Sequence, residues 1–383
     1  MDFKPTEKQR TFREKISRFM KDGCGDPAAA GENPAKDIRE TLKGLAGLKA
    51  MGMTVPEQYG GGGMDFVTYV MAVIEISKVL PPAGTLVVVN NSLFCAPLTA
   101  YGSDHQKSLF LRSCASGDKT GCYGFLESEG DNDLRDLETH AVREDEEWVM
   151  NGVKRFVYGG DFASYCLLAA VTENGEGEGC LTHFLIDLDR IAGVKRGPLE
   201  QASGVPAATG TSTLIFENAR IPVDALMGAR DQGPGQAKVI LTDGRMGQAA
   251  QAVGIGRAVV EDSLTYARKR LGFGKPLSHS QTVQWKLADM VTDLDAAELL
   301  TLKAASYKDL GKAYMREANI AKVYASNAAM KASVEGMQIL CGQGYVGGYP
   351  LEAFMRDAKI SQISMGSNDT VRQAVAMNFI QGV

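Results

Sequence analysis

Apolar residues recur at helical spacing over the first part of the chain. Between 8 and 79, Phe12, Ile16 and Phe19 fall on one face, and the run from Phe66 to Ile74 is apolar almost throughout. Between these stretches, Pro56-Glu57-Gln58-Tyr59 leads into Gly60, Gly61, Gly62 and Gly63, which cannot hold a helix. Helical patterning resumes over roughly 85–101 and again over 106–116.

From about Gly121 to Gly228 the texture changes to strand-sized runs. Val149-Met150, the stretch from Tyr165 to Val171, Leu181 to Ile186 and Thr211 to Phe216 are each bounded by Gly, Asn or Asp turns. The segment from Glu173 to Gly179 reads as a surface hairpin. From about Gly233 onward the pattern is helical again, with breaks expected at Pro276, Gly311 and Gly344, giving four or five helices. The spacing predicts an α+β multidomain protein. An N-terminal α-helical domain spans 1–120, a middle antiparallel β-barrel or sandwich 121–230, and a C-terminal four-helix bundle 231–383. No Gly-x-Gly-x-x-Gly follows a strand, so a nicotinamide cofactor has no visible site.

Composition narrows the function classes. With 41 Lys and Arg against 46 Asp and Glu, the net charge of −5 gives no reason to propose nucleic acid or an anionic membrane as partner. No signal-peptide pattern opens the sequence and no membrane span is expected. The seven cysteines are scattered, form no CxxC pair and do not cluster with the four histidines, which argues against disulfides or a metal site. A reduced, cytoplasmic protein is the expectation.

Several motifs then fall in a telling order. They are Met53-Thr54-Val55-Pro56-Glu57-Gln58-Tyr59-Gly60-Gly61 and Asn151-Gly152-Val153-Lys154, then Tyr266 to Leu277 with Gln281. Gln338 to Tyr345 with Tyr349-Pro350, and Arg356 to Asn368, complete the series. Together they resemble the acyl-CoA dehydrogenase family over nearly the whole chain. The resemblance implies an FAD flavoprotein oxidoreductase of fatty acid or carboxylic acid metabolism, acting on an acyl-CoA. It also implies a homo- or hetero-tetramer that passes electrons to an electron-transferring flavoprotein. The implied FAD-binding residues are Arg270, Phe273, Gln281, Gln338, Gly342, Phe156, Tyr158 and Ser367; the implied substrate-binding residues are Asn132, Thr242, Arg245, Asn90 and Asn91. A guanidinium suits a pyrophosphate, and glycines let backbone amides approach a cofactor.

The chain departs from the family where the chemistry lies. A carboxylate must remove the substrate's α-proton. The two positions that house it in the family hold Met365 and Gly244, neither able to accept a proton. In the flavin loop, Leu126 replaces a hydroxyl residue, and Phe156-Val157-Tyr158 stands for Trp-Ile-Thr. Replacement acids are Asp243, Glu127, Asp131 and Tyr158, each with a structural role as its competing explanation. Three readings stay open: a flavoenzyme with a relocated or unneeded base, a base-less subunit completing a partner's FAD site, and a binding protein or a monooxygenase-like relative.

Overall fold

The computed structural model describes residues 4–23, 34–127, 137–173, 179–200, 210–346 and 349–380. Helices α1 (Glu7–Gly23), α2 (Pro34–Gly47), α3 (Phe66–Val79) and α4 (Pro81–Val88) come first; a π-helical turn (Val89–Cys95) then joins α4 to α5 (Ala96–Tyr101), and α6 (Asp104–Ala115) follows. Strands β1 (Gly121–Gly124), β2 (His140–Glu144), β3 (Glu147–Tyr158), β4 (Tyr165–Glu173), β5 (Gly179–Asp187), β6 (Val194–Glu200) and β7 (Thr211–Pro222) come next. The chain then forms α7 (Gly233–Lys269), a hairpin of β8 (Leu271–Gly272) and β9 (Lys275–Pro276), and α8 (Gln281–Asp309). It ends with α9 (Met315–Leu340), α10 (Gly342–Tyr345), α11 (Leu351–Ile363) and α12 (Asn368–Ile380).

The chain forms two compact units that cut across the three-segment layout read from sequence. One joins α1 and α3 to everything from Thr242 onward; the other comprises Pro34–Met64 and Leu86–Leu241.

In the helical unit, α9 lies against α8, α11 and α12. Its buried face is built of small residues, including Ala318, Ala321, Ala325, Ala329 and Ala332, at helical spacing. A Cβ at Gly254 of α7 would lie 2.5 Å from the Ile74 carbonyl of α3, so only glycine allows that approach. An ion network ties α1, α3, α7 and α8. Arg13 meets Glu75 at 2.6 Å and Glu298 at 3.5 Å, and Arg257 meets Glu298 at 2.9 Å and Asp295 at 2.5 Å. The predicted break at Gly311 is real, with φ of 64° there. The break expected at Gly344 falls earlier, at Cys341 with φ of 51°, while Gly344 is buried within α10.

In the second unit, seven strands form one sheet in the order β1-β4-β2-β3-β7-β6, with β5 paired to β4. The sheet is mixed rather than purely antiparallel, because β4 runs parallel to both β1 and β2. Strand β7 alternates covered and half-covered residues along its first half, as one core-facing side requires. The continuous helix Pro81–Tyr101 is 21 residues long and apolar, longer than the sequence reading allowed, and 78% of its apolar window is buried inside the protein. Its apolar side chains are therefore covered by core.

Candidate functional site

Met365 sits on the turn between α11 and α12 with φ of 58°, followed by Gly366 at 90°. A non-glycine residue in the left-handed region is strained and must be held there. Two cations hold it. Arg245 of α7 donates from Nε to the Met365 carbonyl at 2.9 Å and from Nη1 to Asn319 Oδ1 at 2.9 Å. Lys322 of α9, fully buried, donates to the Gly366 carbonyl at 2.7 Å, to Asn368 Oδ1 at 2.8 Å and to the Gln362 carbonyl at 3.2 Å. Burial depresses both cations, and the neighbouring Arg245 and Arg372 charges help bring Lys322 down to about 7. Sequence reading missed Lys322 and Asn319. Their signal was two polar side chains, three positions apart, on the alanine-rich face of α9.

Asp243, read as a replacement acid, is two residues from Arg245, so the two point about 200° apart around α7. Asp243 is 2% exposed, ion-paired to Lys308 and bonded by the Tyr314 hydroxyl at 2.7 Å. Burial pushes its carboxyl up while Lys308 and Tyr314 oppose the shift. It therefore cannot serve the Met365 turn. Glu127 is equally committed. It accepts from the Glu138 amide at 2.6 Å, the Thr139 amide at 3.0 Å and Lys154 Nζ at 2.5 Å. Those donors outweigh its burial and hold its carboxyl below the usual range. Lys154, from the Asn-Gly-x-Lys turn, is fully buried and also donates to the Phe125 carbonyl at 3.1 Å, pinning the loop that leads toward Leu126 and Glu127. Asp131 and Asn132 lie outside the described residues.

Asn90 and Asn91 are corrected as well. Read as candidates for a polar acyl tail, they are each 1% exposed and spent on backbone. Asn90 donates to the Met51 and Cys114 carbonyls at 2.6 and 3.3 Å and accepts from the Gly121 amide at 2.9 Å. Asn91 donates to the Ala50 and Val87 carbonyls and accepts from the Met53 amide, all at 2.9 Å. The π-helical turn that carries them satisfies a loop that has no ladder of its own. Thr242 is buried at 1% exposure.

The β8–β9 hairpin turns on Phe273 and Gly274, with φ of 51° and 78°, the positive pair that a two-residue I′-type turn requires. Phe273 is fully exposed despite its backbone strain, and Arg270 and Gln281 beside it are exposed too. Among the described residues Arg270 has no acidic partner. Gln338 and Gly342 are also exposed, and nothing lies within 4 Å of a Cβ built on Gly342. Ser367 caps α12: its Oγ accepts from the Thr370 amide at 3.2 Å and meets the Thr370 hydroxyl at 3.0 Å. In the other unit, a register shift between Lys154 and Val157 sets Phe156 at φ of 54° and leaves its ring 45% exposed, with Arg155 at 5.1 Å. Tyr158 closes β3, half-buried and paired in register with Thr211.

Three family models match successive stretches of the chain. The acyl-CoA dehydrogenase N-terminal, middle and C-terminal domain families match residues 6–118, 122–219 and 231–380. The chain belongs to the acyl-CoA dehydrogenase family. It is 33% identical over 377 residues to an acyl-CoA dehydrogenase of Bacillus subtilis, covering 98% of this chain and 99% of the relative. It is 36% identical over 340 residues to the human mitochondrial short-chain specific acyl-CoA dehydrogenase, covering 89% and 82%. Its fold matches the butyryl-CoA dehydrogenase structure from Megasphaera elsdenii with a TM-score of 0.93 at 31% identity, over 99% of this chain and 100% of that one.

Proposed function

We propose that the chain is an FAD-dependent oxidoreductase of short acyl-CoA thioesters in which no side chain at the usual base positions removes the α-proton. The observation that carries this reading is the Met365 turn. Arg245 and Lys322 hold it in its left-handed conformation, as a working site would need, yet Met365 carries no proton-accepting group. The short acyl chain is argued from the short-chain specific and butyryl-CoA relatives. When bound, FAD supplies the hydride acceptor. The chain's own fit to FAD rests on Phe273 and Arg270, an exposed ring on a strained turn beside a guanidinium with no acidic partner among the described residues, and on the open face of Gly342. Electron-transferring flavoprotein is the electron acceptor in this reading, and a tetramer its assembly.

Those same exposed groups support a second reading, a subunit that completes the FAD site of a base-carrying partner. The visible spectrum of the purified protein separates the two. A yellow protein whose flavin bleaches with butyryl-CoA supports the first, with the base at a side chain other than position 365 or 244. A colourless protein supports the second. A yellow protein that no short acyl-CoA bleaches would sink the claim of oxidoreductase activity on these thioesters.

A further inference from the structure

We propose that Gln248 of α7 selects an acyl group that carries a hydroxyl, which donates to the side-chain oxygen of this residue. This rests on the acyl-CoA reading above and names the class of acyl group. Gln248 is 4% exposed and lies one helical turn beyond Gly244 and Arg245, on the same face of α7. Helical side chains lean toward the N-terminus, so Gln248 leans over Gly244, which contributes no side chain of its own. In the proposed reaction Gly244 stands at a usual base position, which puts the reacting end of the acyl group within a turn of Gln248.

The orientation of the Gln248 amide is fixed by a chain of hydrogen bonds that starts at a backbone carbonyl. The Pro81 carbonyl of α4 only accepts, so Gln251, 3% exposed, must turn its Nε2 toward it at 3.0 Å and toward Thr85 Oγ1 at 2.6 Å. Thr85 in turn donates to the same carbonyl at 3.3 Å. Gln251 Oε1 is then left as an acceptor, and Gln248 Nε2 donates to it at 2.7 Å. Pro81, Thr85, Gln248 and Gln251 all belong to the helical unit. The Oε1 of Gln248 is left outside this chain of bonds and accepts from no described residue. Nor is it sealed off like the partnerless hydroxyls of Ser77 and Ser263, for some of its surface stays accessible. An acceptor this deep without a donor costs free energy, which a ligand O–H relieves. A carboxylate has no hydrogen to give it, and an ammonium group would meet the Arg245 guanidinium one turn away. A hydroxyl, neutral and small, meets neither objection.

The test pairs thioesters in which a hydroxyl replaces the terminal methyl: 3-hydroxypropionyl- against butyryl-CoA, 4-hydroxybutyryl- against valeryl-CoA, and 5-hydroxyvaleryl- against hexanoyl-CoA. Calorimetric titration of the protein as purified gives each dissociation constant. At least one hydroxyl-bearing thioester is expected to bind about tenfold or more tightly than its match, because the plain chain leaves the buried oxygen unpaired. Gln248→Leu, apolar and similar in volume, is expected to abolish that preference by tightening the plain chain and weakening the hydroxylated one. Loss of a merely structural amide would shift both members of a pair alike. Equal binding within every pair by the wild type overturns the site and leaves the oxygen to an ordered water. A preference that survives Gln248→Leu overturns the assignment to this residue. If no thioester of either kind binds, the acyl-CoA reading falls together with this one; if both kinds bind equally, this one falls alone.

Discussion

Arg245 reaches the carbonyl of Met365 across 2.9 Å and 120 positions of sequence. That single bond joins α7 to the turn between α11 and α12. It is aimed at a backbone oxygen, so it survives whatever side chain position 365 carries. The turn is held in the left-handed region at Met365, whose side chain accepts no proton.

Lys322 makes the stability of this turn depend on pH. Its folded pKa of about 7 lies below its usual 10.5, so between those values the unfolded chain binds the extra proton. Stability therefore rises with pH across that window, and the cost of burying the charged form is fully present below pH 7. Denaturant midpoints of wild type and Lys322→Met, taken at pH 6, 7.5 and 9, should diverge in favour of wild type as pH rises. A pH-independent difference would show that the lysine does not titrate there.

His183 acts at the acid end. Gln236 donates its Nε2 to the Met227 carbonyl at 3.2 Å, which turns its Oε1 toward His183 Nδ1 at 2.9 Å. Nδ1 must then carry the proton, and Nε2 accepts from the Tyr123 hydroxyl at 3.1 Å. Burial holds the ring down at about 4 from its usual 6.5. Since the unfolded chain takes up the proton first, stability is lost as pH falls from 6.5 toward 4. His183→Gln should flatten that part of the pH-stability curve, measured by thermal unfolding; an unchanged slope would remove His183 as its source.

Asn90→Ala should cost about 2–4 kcal/mol, because three buried backbone groups lose their partner at once. Chemical denaturation of the variant measures this directly. Acyl-CoA selectivity among folded molecules should not move. A selectivity change with little loss of stability would restore Asn90 to the substrate site.

Phe273 separates fold from function most cleanly. Its ring is fully exposed and its backbone is left-handed, so Phe273→Gly should leave the melting temperature unchanged or raise it, relieving up to about 1 kcal/mol of strain. The same variant should purify with less FAD. Full flavin content would mean that the ring does not touch the cofactor.

The sequence by itself determined the order of helices and strands, the family, and the absence of a carboxylate at Met365 and Gly244. These are local or positional facts: periodicity, turn residues and side-chain identity at a matched motif. The helix end at Cys341 was not legible, because a non-glycine residue at positive φ leaves no mark in the pattern. Nor was the parallel course of β4 beside β1 and β2, since strand-sized runs do not say which neighbour they pair with or in which direction. Only the tertiary structure decided which polar residues were free to act. Asn90 and Asp243 look available in a one-dimensional reading, yet partners dozens of positions away consume them. Lys322 looks like an ordinary surface lysine until α9 packs its small-residue face inward and carries the ammonium to the Met365 turn. Hydrogen-bond saturation and burial belong to packed neighbours, and packing is what a sequence read locally leaves out.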